Sequence, residues 1–268
     1  MKDKRVLIIS SEVVPYLPQT EQAKNSFFIP KSVNESGGQT RIFMPRYGLI
    51  NERRHQLHEV IRLSGMNLVI NDMDTPLIIK VASIPKERMQ VYCIDNEDYF
   101  KRRATLRKED GTLFDDNDER MIFFTKGVIE TVKKLNWSPD IIHLHGWFTS
   151  LFPLYLKTQY NDEPLFEQSK IVSSIYPKDF DGVLAGALHD KIAFDQLDPE
   201  AIRPLNEPSY EELMNLNVQF SDGFVLAGED LPEGVIKSIN ASDKPVLDYE
   251  MSKAEKAFVE FYTQNFVS

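Results

Sequence analysis

The sequence predicts an α/β fold in which a mostly parallel, doubly wound sheet carries helices on both faces, as in Rossmann-like proteins. Three observations predict it: short β-branched runs recur along the chain, most of them are apolar on consecutive residues, and helical stretches fill the gaps between them. Consecutive apolar residues are typical of strands that helices cover on both sides. The repeated order of strand and helix therefore favours a doubly wound sheet.

The predicted strands are short runs bounded by polar or turn residues. They are RVLIIS at 5–10, TRIFMP at 40–45, PLIIKVA at 76–82, MQVYCID at 89–95, PDIIHLHG at 139–146, KIVSSIY at 170–176 and DGFVLAG at 222–228. The region 57–82 has polar turns and no helical stretch between its apolar runs. This pattern predicts an antiparallel hairpin insertion near 60–82, with Asn71-Asp72 near its turn.

The most distinct helix is predicted over 116–137, where apolar residues recur every three or four positions from Met121 to Leu135. Asp116 or Asn117 is expected to cap its N-terminus. Further helices are predicted at 19–34, 149–159, 209–219 and 251–265. At 268 residues the length allows one large domain or two. We expect one domain over 1–240, followed by a linker and a C-terminal helix over 241–268.

Charge and cysteine content exclude several classes of partner and compartment. A formal charge of −10 opposes binding to nucleic acid or to anionic lipid, because association would begin against repulsion. Cys93 is the only cysteine, so no internal disulfide can form and a reducing compartment fits best. The N-terminal apolar run is too short for a signal peptide, and no apolar run reaches the about 18 residues of a membrane span. We expect a cytoplasmic protein.

Polar and aromatic residues follow several of the predicted strands. In an open parallel sheet, ligands bind beyond the carboxyl ends of the strands. Glu12, Asp95, Asn96 and Trp147 occupy such positions. Hydroxyl groups of a sugar need paired donors and acceptors, and its apolar face stacks on an aromatic ring. This mixture therefore favours a sugar ligand.

The segment His143-Leu144-His145 leaves alternatives open. Residues two apart share a face of a strand, so both imidazoles could approach one metal ion, but no third histidine or cysteine lies nearby in the sequence. The other interpretations are that one histidine hydrogen-bonds to backbone at the edge of the sheet while the other packs in the core, and that His145 contacts a ligand. Glycine-rich nucleotide loops, phosphate-binding loops and the nucleophile elbow of hydrolases are missing from the sequence. We therefore assign no metal and no cofactor.

Several fragments in a consistent order point to one family. They are VLIISSEVVPY near the start, PKSV and GGQTRIFMPRYG through residue 48, VYCIDNEDYFKRR at 91–103, DDNDERMIFFTKGVIE at 115–130 and WSPDIIHLHGWFTSLFPLYLK at 137–157. Together they resemble the N-terminal domain of bacterial glycogen synthases and plant starch synthases. The resemblance implies that the chain has one half of a GT-B fold. Enzymes of this family transfer glucose from ADP-glucose to an α-1,4-glucan. In that family a second domain faces the first across a cleft and holds the phosphates of the donor.

The sequence as given contains only the first of these domains. The resemblance fades after residue 157, but past residue 240 the short stretch KAEKAFVEFYTQ looks like the final helix of the family, which crosses back onto the N-terminal domain. We therefore expect a fold that lacks the second domain and keeps the closing helix.

The sequence departs from the family pattern at three strand ends. Where the family has Lys-Thr-Gly-Gly-Leu, His-x-His-Asp-Trp-His and Ile-His-Asn, this chain has Pro18-Gln19-Thr20-Glu21-Gln22, then Gly146 and Phe148 around Trp147, and Ile175-Tyr176-Pro177. Glu21 would oppose an anionic phosphate, and Pro18 removes both a backbone N–H and the charge of the lysine. The lost glycines add Cβ atoms that block close approach of a ligand. We expect negligible glucosyl transfer by this chain alone and assign no catalytic residue.

Three hypotheses follow from the resemblance and its departures. In the first, the chain is a glucan-binding or regulatory remnant, with Glu12, Asp95, Asn96, His145 and Trp147 as candidate contacts for an α-glucan or maltooligosaccharide. Trp147 could equally pack in the core against the following helix. In the second, a separate chain completes a half-enzyme. In the third, the chain is an interaction module, a homodimer or a partner complex formed over the exposed cleft face.

Overall fold

The structure is a computed structural model that describes residues 1–87, 89–254 and 256–267. The strands of these ranges are β1 (Arg5–Ser10), β2 (Gln39–Pro45), β3 (His58–Glu59), β4 (Met66–Ile70), β5 (Met73–Ile84), β6 (Met89–Asp95), β7 (Ile141–His145), β8 (Lys170–Ile175), β9 (Gly223–Leu226) and β10 (Val246–Leu247). The helices are α1 (Glu21–Glu35), α2 (Glu52–His55), α3 (Glu97–Phe100), α4 (Asn117–Leu135), α5 (Leu151–Lys157), α6 (Leu188–Ala193), α7 (Pro199–Ile202), α8 (Tyr210–Phe220), α9 (Glu233–Asn240), α10 (Tyr249–Ser252) and α11 (Ala257–Asn265).

The strands form one sheet in the order β10-β9-β8-β7-β1-β2-β6-β5-β3, and β4 pairs with β5. Pairing is parallel from β10 to β6 and antiparallel where β5 meets β6, β3 and β4. The chain runs outward from β1 through β2 to β6, then returns to β7 and runs outward on the other side. The strand order therefore reverses between β1 and β7, which is where an open α/β sheet binds its ligands. The predicted α/β class with a mostly parallel sheet is confirmed.

The central strands are buried because their residues are apolar on consecutive positions. Val6, Leu7, Ile8 and Ile9 of β1 have no exposed surface, and every residue of β7 is buried. Helix α1 packs on β1 and β2, and α4 packs on α5. The Thr20 side chain caps α1 by accepting a hydrogen bond of 3.0 Å from the backbone N–H of Ala23.

The predicted antiparallel hairpin lies where expected. β4 and β5 pair from Ile70 and Met73 outward, and Asn71 and Asp72 connect them with φ of +48° and +63°. Left-handed conformations at both central positions are those of a two-residue hairpin turn, which asparagine and aspartate tolerate better than most residues. The run 76–82 is therefore the middle of a longer strand, Met73–Ile84.

Two predicted details differ in the structure. Asp116 stands at the N-cap of α4, but its side chain makes no capping hydrogen bond, because its carboxylate pairs with Arg102. Asn117 does not cap either: its amide donates to the carbonyl of Leu106 (2.9 Å) and accepts from Arg120 (2.7 Å). Other side-chain interactions, with Arg102, Leu106 and Arg120, therefore replace the capping hydrogen bonds.

The C-terminal segment also differs from the prediction. The helix predicted over 251–265 is divided into α10 and α11, with residue 255 outside the described ranges. The segment before it adds β10, whose Val246 and Leu247 pair with Phe224 and Val225 of β9. Part of the predicted linker region therefore continues directly into the sheet, while the division of the chain at residue 240 stays a prediction.

Within the described ranges, none of the helices combines the length and the apolar character that a membrane crossing requires.

Candidate functional site

The carboxyl ends of β1 and β7 meet at the point where the strand order reverses, since Ser10 pairs with His145. The side chain of Gln22, from the first turn of α1, lies across this crevice. Its Nε2 donates to Ser11 Oγ (2.8 Å), Ser10 Oγ (3.2 Å) and the carbonyl of His145 (3.2 Å). One amide group therefore joins both strand ends and occupies the place where the fold would receive a ligand.

Gly146 makes this position of Gln22 possible. A Cβ atom at residue 146 would lie 2.4 Å from Oε1 and 3.0 Å from Cδ of Gln22. Separations under about 3.0 Å are sterically forbidden for such atoms, and the φ of Gly146 is +76°. A larger residue at 146 and the observed Gln22 are therefore incompatible. The sequence comparison identified positions 22 and 146 separately, and only the structure shows that they are in contact.

Two carboxylates stand near the mouth of the crevice. Burial raises the pKa of Glu12, a hydrogen bond from the Thr20 hydroxyl opposes that rise, and the nearby charge of Asp179 adds to it. Glu21 is exposed and forms an ion pair of 3.0 Å with Lys24. Because a helix N-terminus normally attracts anions, acidic groups at this end of α1 reduce its suitability for a phosphate. Pro18 and Gln19 are exposed beside them.

The two histidines of β7 are buried, with ring centroids 4.2 Å apart and the ring planes tilted by 31°. The Nδ1 of His143 is 2.5 Å from the Tyr262 hydroxyl, and its Nε2 is 2.7 Å from Ser174 Oγ. The Nδ1 of His145 is 2.9 Å from the Tyr176 hydroxyl. Burial lowers the pKa of His145 to about 3, and burial together with the neighbouring ring lowers the pKa of His143 well below its usual value. Both imidazoles are therefore neutral at pH 7.

The histidines are thus held by hydrogen bonds within the fold. In the described ranges, no third histidine, cysteine or carboxylate joins them in a group suited to a metal ion. The Nε2 of His145 is buried without a hydrogen-bond partner among these residues. Contact of His145 with a ligand stays a prediction. Tyr262 belongs to α11, so the C-terminal helix reaches the central strands through His143.

Tyr176 fills the end of β8. Its hydroxyl also accepts a hydrogen bond of 3.3 Å from Asn25 of α1, and its carbonyl accepts one of 2.6 Å from the Tyr210 hydroxyl. Pro177 follows on the surface, packed so closely on Gly228 that a Cβ there would lie 2.7 Å from the proline ring. These two residues therefore link β8 to α1 and to the segment after β9.

Trp147 and Phe148 both lie in the core. The indole ring is 4% exposed and meets the Phe180 ring edge to face at 5.1 Å, while its Nε1 donates to Asp179 Oδ2 (2.7 Å). Phe148 is fully buried and packs on Phe124 at 5.7 Å. The structure therefore places Trp147 as a packed residue, the alternative that the sequence left open. Sugar stacking on Trp147 stays a prediction that would require the ring to be uncovered.

Asp95 lies apart from the crevice, at the end of β6. Its Oδ2 is 3.1 Å from both Arg46 Nε and Lys80 Nζ, and these two cations also pair with Glu52 at 2.7 and 2.8 Å. Burial raises the pKa of Asp95, and the two cations oppose that rise. Its Oδ1 is buried and accepts no hydrogen bond from the described residues. The carboxylate is therefore committed to an ionic network within the fold.

Asn96 caps the short helix α3. Its Oδ1 accepts from the backbone N–H groups of Asp98 (3.0 Å) and Tyr99 (3.3 Å), and its Nδ2 donates to the carbonyl of Pro76 (2.9 Å). All the polar atoms of its side chain are thereby used. Of the five candidate sugar contacts, the structure brings only Glu12 and His145 to the crevice at the switch point.

Comparisons with known proteins assign the chain to a family. The starch synthase catalytic domain matches residues 5–227. The glycogen synthase of Chlorobaculum tepidum is 34% identical over 257 residues, which are 94% of this chain and 50% of that protein. The glycogen synthase of Chlorobium luteolum is 39% identical over 194 residues, which are 71% of this chain and 39% of that protein.

A solved structure agrees with the fold. The catalytic domain of starch synthase IV from Arabidopsis thaliana, determined with ADP and acarbose, superposes with a TM-score of 0.73 at 15% identity and covers 92% of this chain and 51% of that one. The chain thus spans half or less of the length of the two glycogen synthases described here. The predicted resemblance is confirmed, and the chain belongs to the starch synthase catalytic domain family, of which it has the fold of one GT-B half.

Proposed function

We propose that this domain does not transfer glucose from ADP-glucose and instead serves as a glucan-binding or regulatory domain. The observation that carries the proposal is the position of Gln22, whose amide fills the crevice between β1 and β7 and hydrogen-bonds to both strand ends. A ligand entering there would have to displace these contacts, and each polar group that it left unpaired would cost about 1–3 kcal/mol.

Further observations support the loss of transfer. Gly146 and Phe148 supply no polar group to the crevice, and Tyr176 is engaged with His145 and Asn25. Removing one preorganised hydrogen-bond donor from a developing charge lowers a rate by about 10²–10³. Changes at three strand ends should therefore reduce transfer far more than one would. The proposal concerns this domain and does not depend on where the sequence begins or ends.

Parallel calorimetric titrations of the protein with ADP-glucose, ADP and maltoheptaose test the proposal. We expect binding of maltoheptaose and no binding of ADP-glucose or ADP. Saturable binding of ADP-glucose, together with transfer of glucose to maltoheptaose, would overturn it. Absence of maltoheptaose binding at millimolar concentration would remove the glucan-binding part and leave the regulatory part.

A second candidate is an assembly over the cleft face, either a homodimer or a complex with a separate chain. It is favoured by Val183 and Phe194, which are 54% and 48% exposed in the segment that follows β8. Sedimentation velocity of the titration samples at two protein concentrations distinguishes the forms. A monomer at both concentrations would remove the homodimer. For either candidate function we propose the cytoplasmic location that the sequence predicts.

A further inference from the structure

A second concavity lies outside the crevice, between α1 and the C-terminal segment that contains α10 and the start of α11. It is a groove of ≈ 780 Å³, within the range of about 300–1,000 Å³ that is common for small-ligand sites. One wall is a face of α1 from Glu21 to Ser36, and the other runs from Tyr249 to Phe258, of which residue 255 is not described. None of the candidate residues from the sequence analysis other than Glu21 lines it.

Aromatic rings from both walls face this groove. Phe28 of α1 is 56% exposed, whereas Ile29 and Val33 of the same helix are buried in the core. Across the groove stand the half-buried rings of Tyr249 and Phe258. A single exposed phenylalanine would need no explanation. Rings from two separate elements lining one groove provide apolar surfaces on both of its walls.

The Tyr249 ring is already in contact with a cation. Lys253 Nζ lies 4.2 Å from its centroid and forms an ion pair of 2.6 Å with Glu250. The ring is half-buried and lines the groove. Phe258, at the inner end, lies 6.2 Å from the ring of His143, so the groove ends beside the buried histidine pair.

The charged groups of the groove are largely paired. Lys31 forms an ion pair with Glu87 (3.0 Å) and a longer one with Glu35 (4.0 Å), and Glu21 pairs with Lys24. No arginine is among the lining residues in the described ranges. Three lysines, including the exposed Lys256, and two glutamates are among the lining residues in the described ranges, so a polyanionic or strongly cationic ligand would find little complementary net charge here.

The remaining polar groups are short and neutral. Asn25, Ser32, Ser36 and Ser252 supply amide and hydroxyl groups along both walls. Such groups can both donate and accept hydrogen bonds, as sugar hydroxyls require, while the aromatic rings match the apolar faces of the sugar rings. An amphipathic peptide helix would instead need a continuous apolar surface, which these polar residues interrupt.

We propose that this groove binds a linear, neutral oligosaccharide, with Phe28 as its stacking platform. The choice of an α-glucan as that oligosaccharide rests on the proposed function. The residues that line the groove indicate where on the domain it would bind. The site is separate from the crevice that Gln22 fills.

Calorimetric titration of the full chain with maltoheptaose tests this location. We expect Phe28→Ala to weaken binding about five- to tenfold, which corresponds to the loss of one aromatic contact. Phe28→Tyr should bind within about twofold of the unchanged protein, because the ring is kept. Ile61→Ala is the control, since Ile61 is 83% exposed and outside the groove.

The outcomes separate this inference from the proposed function. If the unchanged protein binds maltoheptaose and Phe28→Ala binds it equally well, the groove is the wrong location while glucan binding stands. If the unchanged protein does not bind maltoheptaose, glucan binding fails and the groove proposal fails with it. Equal weakening in Phe28→Ala and Ile61→Ala would also overturn the groove. Circular dichroism of each variant establishes that it is folded.

Discussion

Helix α1 contributes side chains both to the crevice between β1 and β7 and to the groove beside it. The two places differ in whether their polar and aromatic groups already contact other residues. In the crevice, Gln22 hydrogen-bonds to Ser10, Ser11 and His145, so the strand ends are already paired. In the groove, Phe28 remains exposed. In this fold class ligands bind at the crevice, which here is occupied by the side chain of Gln22. The exposed aromatic surface lies in the groove instead.

This difference has a consequence for stability. Groups that pair with one another contribute to folding, whereas groups left free for a ligand contribute little to it. Substitutions in the crevice should therefore lower the free energy of unfolding, and substitutions in the groove should alter binding with little change in that free energy.

Gly146→Ala should destabilise the protein by about 2–3 kcal/mol, because it adds backbone strain at positive φ and pushes the flexible end of Gln22 away from its hydrogen bonds. Gly182→Ala is the matched control. Gly182 has a φ of +75°, close to the +76° of Gly146, but no atom lies within 4 Å of a Cβ built there. Its substitution should therefore show backbone strain at positive φ without any contact of the added Cβ with a neighbouring side chain. Urea unfolding of both variants measures the difference.

A double-mutant cycle isolates the contact itself. In a Gln22→Ala background the substitution of Gly146 should cost less, and we expect a coupling energy of at least about 1 kcal/mol. Additive effects of the two substitutions would contradict the direct contact of positions 22 and 146. Such a result would also remove the main support for a filled crevice.

The buried histidine pair predicts that the free energy of unfolding decreases as the pH is lowered. An unfolded histidine titrates near a pKa of about 6.5, whereas burial lowers the pKa of His145 to about 3 and lowers that of His143 as well. Between these values the unfolded state binds more protons than the folded state, so acid favours unfolding by up to about 1.4 kcal/mol per pH unit for each histidine.

Carboxyl groups with raised pKa values, such as Glu12 and Asp95, act in the opposite direction, since protonation favours their folded forms. We expect a net loss of about 2 kcal/mol from pH 7 to pH 5, measured by urea unfolding at each pH. His145→Asn should reduce the slope. A stability independent of pH in this window would contradict the buried, neutral state of the pair.

Strands with strong local patterns were predictable from the sequence. The runs 5–10 and 89–95 coincide with β1 and β6, and the turn at Asn71-Asp72 was identified from its residue types. β10 was missed because two residues carry no periodicity, and its pairing with β9 depends on tertiary contacts. The prediction of one continuous helix over 251–265 was wrong, since α10 and α11 are separate elements.

The candidate site was less predictable than the fold. Positions after strand ends can be located from the sequence, but the direction of each side chain and its partners cannot. Trp147 is covered because Phe180 and Asp179 fold over it from the segment after β8. The contact of Gln22 with Gly146 joins residues more than a hundred positions apart. One signal was present in the sequence: an added amide at 22 accompanies a missing side chain at 146.

The smallest predicted effect concerns the groove. Phe28→Ala should change the free energy of unfolding by less than about 0.5 kcal/mol, because surface substitutions outside caps, cores and networks usually fall in that range. Loss of the edge contact with Phe27 (5.1 Å) is offset by the higher helix propensity of alanine. Urea unfolding in the absence of sugar measures the change. A loss above about 1.5 kcal/mol would mean that the ring supports the fold as Gln22 does, and the contrast between the two regions would disappear.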